Sequence, residues 1–342
     1  MNAFRTIVLL MALWAIFASA QASPGAGAAP PVVPEISIFY YPWYGTPARD
    51  GAWVHWTKPG STSFASNYFP ARGLYSSSDA RVVRAQMREI AAAGIQEVVS
   101  SWWGLSSPED LRLPLVIRAA RAAGVAVAVH LEPYPNRDVL SVQSDLEHLQ
   151  TLGIRRFFVY HPFDISNDNW AALRASVRGV TLLAETGFAA RAAAAHFDGI
   201  YTYDVLRWGG GDFARICKAA HKLRLACLPS VGPGFEATRA TGDKHVKPRR
   251  DGKTYDSMWK GAIRSKPDGV TITSYNEWHE GTQIEPARAE APGNAAKLSF
   301  ASYNGAYGTR GKAAQRAYLE RTRFWVRAFA RSESPEEQLP SG

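Results

Sequence analysis

AAAGIQEVVSSWW at residues 91–103, RAAGVAVAVHLEP at 121–133 and LQTLGIRRFFVYHPF at 149–163 share one pattern. Each closes a helix-like stretch with a glycine (Gly94, Gly124, Gly153), then gives Ile or Val and an apolar run. Glycine suits the left-handed residue that ends a helix, and the run behind it suits a strand. Later copies follow at Gly179, Gly199 and Gly269. With ISIFYYPWY at 36–44 and LACLPSVGPG at 225–234, the strand candidates number eight. Several are near-continuously apolar, as parallel strands covered on both faces are. Helical patterns lie between them, at 79–93, 115–123, 139–152, 170–177, 188–196, 213–223 and 255–264, with an eighth at 313–330. In the first, Val83, Met87 and Ile90 fall at spacings of four and three. Eight alternating units predict an α/β chain folded as a single (β/α)8 TIM barrel over 35–332. A doubly wound open sheet is disfavoured, because no G-x-G-x-x-G follows the first strand.

The N-terminus argues for export. Arg5 precedes the apolar run TIVLLMALWAIFA, and ASAQAS supplies small residues, so a signal peptide over 1–20 is expected. A membrane anchor is disfavoured because the run is short and no second one follows. The mature protein is thus expected to be secreted or periplasmic and free of the membrane. The segment 21–34 is a Pro/Ala/Gly-rich linker, and 333–342 a polar tail. Two cysteines, Cys217 and Cys227, are as compatible with two buried thiols as with a bridge. The net charge of +9 is scattered over helices without aromatic interleaving, which argues against nucleic-acid binding. A monomer is expected.

Active sites of such barrels lie at the C-terminal ends of the strands. Here those ends carry Tyr40, Tyr41, Trp43 and Tyr44; Trp102 and Trp103; His130, Glu132 and Tyr134; Tyr160, His161 and Asp164; Tyr201, Tyr203 and Asp204. Aromatic faces for sugar rings, with acids, His and Asn for hydroxyls, suit a carbohydrate cleft better than a phosphate site. Phe39, Phe157 and Phe158 read as core. His130 and Glu132 invite a metal reading with Asp164, Asp204 and His279, but no ligand spacing supports one, so no metal and no cofactor is expected. No G-x-S-x-G elbow supports Ser–His–Asp hydrolysis.

The eighth strand runs into SYNEWHEGTQIEP at 274–286. Strand alternation would send Glu277 and Glu280 to opposite faces. If the chain turns after about Asn276, with Gly281 permitting the turn, both carboxylates reach one cavity. Glycoside hydrolysis uses two carboxyl groups, one an acid of raised pKa. Trp278 and His279 are expected to supply desolvation and charge contrast. Glu285 is expected to be a structural partner of the loop.

FYYPWYG-x-P-x-x-D-G-x-W-x-H-W, VVSSWW, HLEPY, FDGIYTY, PSVGPG and ITSYNEWHEGTQIE together resemble glycoside hydrolase family 99, the endo-acting α-mannosidases and α-mannanases. The resemblance runs from about residue 38 to 285, and the C-terminal 318–329 helix also fits. It implies a retaining enzyme that cleaves internal α-1,2-mannosidic linkages in α-mannan or high-mannose N-glycan. It implies that Glu277 acts as base on the substrate's own 2-hydroxyl, forming a 1,2-anhydro sugar, and that Glu280 is the general acid, then base. Tyr41, Trp103, His130, Glu132, Tyr134, Tyr203, Asn276 and His279 are the expected substrate-binding residues. Trp103 matches members suited to mannose in the outer donor-side subsite, where animal relatives place Tyr and accept glucose. The tract FEATRATGDKHVKPRRDGKTY after PSVGPG is unusually basic here. A non-catalytic glycan-binding or polysaccharide-assembly protein on the same barrel is the alternative, and keeping both acids argues against it.

Overall fold

The computed structural model describes residues 36–290 and 299–333. The expected leader (1–20) and linker (21–34) lie outside them, as does all of the tail except Glu333, which ends the last helix. All eight strand candidates form one parallel sheet: Ile36–Tyr40, Glu97–Trp102, Ala126–Leu131, Arg156–Val159, Thr181–Glu185, Gly199–Tyr201, a seventh in two pieces, and Val270–Ile272. The seventh is split at Pro229, which has no N–H to give to a ladder. Its first piece, Ala226–Leu228, pairs with strand six, and its second, Ser230–Val231, with strand eight. Strand eight also pairs with strand one, Ile36 opposite Val270, so the sheet closes into a barrel.

The helix-to-strand junctions refine the glycine pattern. Gly94, Gly124, Gly153 and Gly179 have positive φ, as a helix-ending residue requires. Gly199 and Gly269 do not. In the later units the left-handed residue is His196, Arg224 or Lys266, two to four residues before the strand. Gly199 instead opens strand six, where a Cβ would lie 2.7 Å from the Ala226 carbonyl oxygen. Its need is space.

Helices fall where the periodicity predicts, with one large shift at an end and one break: the last, expected at 313–330, is split at Arg316 into Gly311–Gln315 and Ala317–Glu333. The helix expected at 115–123 spans Pro108–Ala122, its first turn capped by the Ser107 hydroxyl accepting from the Asp110 N–H at 3.1 Å. Pro114 lies inside it and removes one helical donor, which masks the first two turns. The helix Ala80–Ala92 is capped by Asp79 itself, which accepts from the Arg81 N–H. Cys217, on helix Phe213–Lys222, is bridged to Cys227 on strand seven.

Inside the barrel the side chains stack in tiers. At the N-terminal end the buried Glu97 carboxylate accepts from the Ser37 hydroxyl (2.7 Å) and Arg156 (2.9 Å). Burial raises its pKa and the guanidinium opposes the rise. Above it Phe39 packs on His130 (4.8 Å between ring centres) and Phe158 (5.7 Å). Phe39, Phe157 and Phe158 are all buried core, as expected. The third tier is acidic and hydroxylated, and it is the floor of the cleft.

Candidate active site

The ladder of strand eight ends at Ile272, four residues before the turn expected at Asn276. From Thr273 the chain folds into a closed loop: the Ser274 N–H donates to the Thr282 carbonyl (3.0 Å), and the Ile284 N–H to that of Ser274 (2.9 Å). Gly281 makes the return with φ +62°, as expected. Inside the loop, the Ser274 hydroxyl accepts from the Glu277 N–H (2.8 Å), and the Glu277 carboxylate accepts from the His279 N–H (2.9 Å). Folding replaces alternation, and both glutamates lie at the barrel mouth.

Glu277 is buried and Glu280 half-buried. The Tyr203 hydroxyl donates to Glu280 Oε2 at 3.1 Å and lies 2.5 Å from the Tyr41 hydroxyl. Behind them His130 Nδ1 is 2.9 Å from Glu132 Oε1, which also accepts from the Ser101 hydroxyl at 2.8 Å. His130 Nε2 faces the Tyr201 hydroxyl at 2.9 Å. Strands one, three, six and eight thus each contribute to one acid-rich cluster of Tyr41, His130, Glu132, Tyr203, Glu277 and Glu280.

Desolvation drives Glu277 well above the usual carboxylate range, and Glu280 adds to the rise. Glu280 is pushed up to about 7, chiefly by burial, with Glu132 and Asp204 adding to it against the Tyr203 hydrogen bond. No guanidinium or ammonium is paired with either group among the described residues. Burial thus favours the neutral form of both carboxyls, and they titrate as a pair. A pair with one proton to give and one site to take is the equipment of acid–base work on a glycosidic bond.

Three of the expected ligands are also held by neighbours within the protein. Asn276 is fully buried and both its amide atoms are engaged: Oδ1 accepts from the Tyr41 N–H (2.7 Å), and Nδ2 donates to the Tyr41 carbonyl (3.0 Å) and Tyr75 hydroxyl (3.3 Å). It ties strand one to the catalytic loop. Tyr134 bonds through its hydroxyl to Asp145 and Ser141 and lays its ring on Gly104. His279 Nε2 donates to the His55 carbonyl, and its ring stacks with Trp43 and His55. Burial lowers its pKa, which favours the neutral ring, against the hydrogen bond to the His55 carbonyl. Trp103 is half-buried at the rim, with an indole N–H that meets no protein acceptor among the described residues. Its neighbour Trp102 turns the other way, to Asp110 (3.0 Å).

Trp278 does not supply charge contrast. It is fully buried behind the loop, its N–H on Glu285 Oε2 (3.0 Å). Glu285 is the loop's anchor, as expected: it also accepts from Arg72 (2.7 Å), Tyr75 (2.7 Å) and Gln86 (2.9 Å). A second anchor, Arg249, comes from the basic tract. Its buried guanidinium donates to the Gly281 (2.8 Å) and Gln283 (2.7 Å) carbonyls amid the rings of Tyr68, Tyr303 and Tyr318. No sequence spacing marks it. Among the described residues no group of three or more His, Cys, Asp or Glu is placed to hold a metal.

A cavity of about 220 Å³ lies on the Glu280 side, walled by Tyr160, Tyr203, Asp204 and Asp243. A wider one of about 620 Å³ lies on the His279 side, under the 53–62 loop. Asp204 and His55 are the cleft residues that the expected ligand set lacked, although Asp204 was among the strand-end residues and His55 stands in a quoted motif.

Residues 59–331 match the profile of glycosyl hydrolase family 99. A human glycoprotein endo-alpha-1,2-mannosidase-like protein is 29% identical over 358 residues, covering 87% of this chain and 76% of its own length. Rat glycoprotein endo-alpha-1,2-mannosidase is 28% identical over 377 residues, covering 91% and 79%. The solved GH99 endo-alpha-mannosidase of Bacteroides thetaiotaomicron superposes with a TM-score of 0.78 at 28% identity, covering 88% of this chain and 98% of that one. With a closed parallel barrel, two coupled glutamates at its mouth and a family match across most of its length, the chain is a glycosidase and belongs to glycosyl hydrolase family 99.

Proposed function

We propose that the protein is a retaining endo-α-1,2-mannosidase acting on internal linkages of α-mannan or high-mannose N-glycan. The observation that carries the chemistry is the Glu277–Glu280 pair, one buried and one half-buried in the loop after strand eight, both with raised proton affinity. In the first step Glu277 takes the proton of the sugar's 2-hydroxyl, and that oxygen attacks C1. The C1–O bond to the leaving sugar breaks as Glu280 gives its proton to the departing oxygen. In the second step Glu280 takes a proton from water, whose oxygen attacks C1 and opens the anhydro ring. Glu277 returns its proton to O2. Two inversions at C1 give net retention.

Separate cavities lined by Glu280 and by His279 give the catalytic loop room for more than one sugar unit, which supports endo action. The Trp at 103, where animal relatives place Tyr, is the ground for mannose in the outer donor subsite. The Cys217–Cys227 bridge supports export, since disulfides persist in oxidising compartments. The test is hydrolysis of a defined α-1,3-mannosyl-α-1,2-mannoside, followed by NMR of the first product. Disaccharide released as the α-anomer is expected; the β-anomer would overturn retention, and monosaccharide release would overturn endo action. Glu277→Gln and Glu280→Gln are each expected to lower turnover by several powers of ten.

A further inference from the structure

Two cavities open on the loop that carries the glutamate pair, one lined by Glu280 and the other by His279, and they differ in charge. The one on the Glu280 side is walled by carboxylates, Asp204 and Asp243, besides Glu280 itself. The one on the His279 side has no carboxylate in its wall. Its single cation is Lys58, half-buried, whose ammonium has no hydrogen bond or ion pair among the described residues. Around it stand the exposed ring of Trp53, the hydroxyls of Thr57, Ser61 and Thr62, and the neutral ring of His279.

An exposed indole is a platform for a sugar face, and hydroxyls serve its ring oxygens and hydroxyls. An unpaired ammonium adds what a neutral sugar does not need, a partner for an anion. We propose that the Trp53–Lys58 cavity is a subsite for a sugar unit bearing an anionic substituent, a phosphate ester or a carboxylate. The carboxylate-walled cavity on the other side excludes the same unit by like-charge repulsion. The cleft thus sets on which side of the scissile bond a charged branch is tolerated. This rests on the mannosidase reading, and it adds to it a choice among mannans.

The test uses three polymers of one backbone with the full-length enzyme: neutral α-mannan, the same mannan carrying phosphate esters, and the same mannan partly oxidised to carboxylates. Specificity is read as the ratio of kcat/KM on charged over neutral polymer. At low salt the ratio is expected to be about five to ten for one charged polymer, to fall as ionic strength rises, and to drop to about one or below in Lys58→Gln. Which polymer is preferred identifies the anion. A ratio at or below one for both charged polymers in the wild type overturns the proposal. So does a preference that survives in Lys58→Gln or ignores salt. The salt series in the wild-type enzyme keeps the test informative should the variant misfold. Failure to cleave any of the three polymers sinks the mannosidase reading instead, and the neutral polymer separates the two failures.

Discussion

Replacing Tyr203 by phenylalanine removes one oxygen and asks one question of the catalytic acid. That hydroxyl donates to Glu280 Oε2 at 3.1 Å. A donor to a carboxylate stabilises its charged form, so its loss raises proton affinity. Hydrogen bonds to charged groups contribute about 1.5–3 kcal/mol, and about 1.4 kcal/mol corresponds to one pKa unit. The bond is long and its carboxylate half-buried, so the lower end applies, about one unit. Glu280 stands at about 7 with the bond in place. Without it the group is expected near 8, and an acid works only while protonated. The alkaline limb of kcat/KM should therefore move up by about one pH unit, even if the maximum rate falls. The assay is initial-rate kinetics on a defined mannoside across neutral and alkaline pH, with Tyr41→Phe as comparison. Tyr41 touches Tyr203 and has no hydrogen bond to Glu280, so its limb should move less. An alkaline limb that stays put in Tyr203→Phe, or moves down, refutes Glu280 as the acid poised by this bond.

Gly281→Ala places a Cβ at φ +62° and 3.1 Å from the Glu236 carbonyl oxygen, so thermal unfolding should register a loss of about 1–2 kcal/mol, with kcat falling more than KM changes. Arg249→Met strands the Gly281 and Gln283 carbonyls; denaturant titration should show a loss of about 3 kcal/mol, and an unchanged midpoint would show that the guanidinium is not the loop's anchor. Reducing the Cys217–Cys227 bridge, or replacing both cysteines by alanine, should lower stability by about 2–3 kcal/mol, as expected for closing a loop of ten residues, while leaving kcat little changed.

The barrel could be read along the chain because its signal is local. A left-handed glycine followed by an apolar run is a junction wherever it occurs, and four such junctions suffice to suggest the count. The reading fails at Gly199 and Gly269 because His196 and Lys266 take the left-handed residue there, and nothing in a histidine or lysine announces that role. The split of strand seven was present in the letters as Pro229, but only pairing with two different neighbours gives it meaning. At the site, the glutamates, Tyr41 and Tyr203 were legible because motif and strand end coincide. Asn276 stood in the same motif, yet it serves the scaffold: whether an amide faces a ligand or a backbone depends on a strand 235 residues away. Arg249 was invisible for a related reason, since its partners are carbonyls, which every residue has.

The last strand to leave the ribosome is inserted between the first and the seventh, and the loop behind it is fastened to Tyr41 through Asn276. Synthesis therefore sets a clock on activity. A nascent chain short of residue 277 has neither glutamate, and one short of residue 285 lacks the anchor that shapes their loop. Contacts of such long sequence separation form late, after the local β/α units. A chain threaded through a membrane while still unfolded would cross it without a working site. The capacity to cut glycans would arise only where the two ends of the chain finally meet.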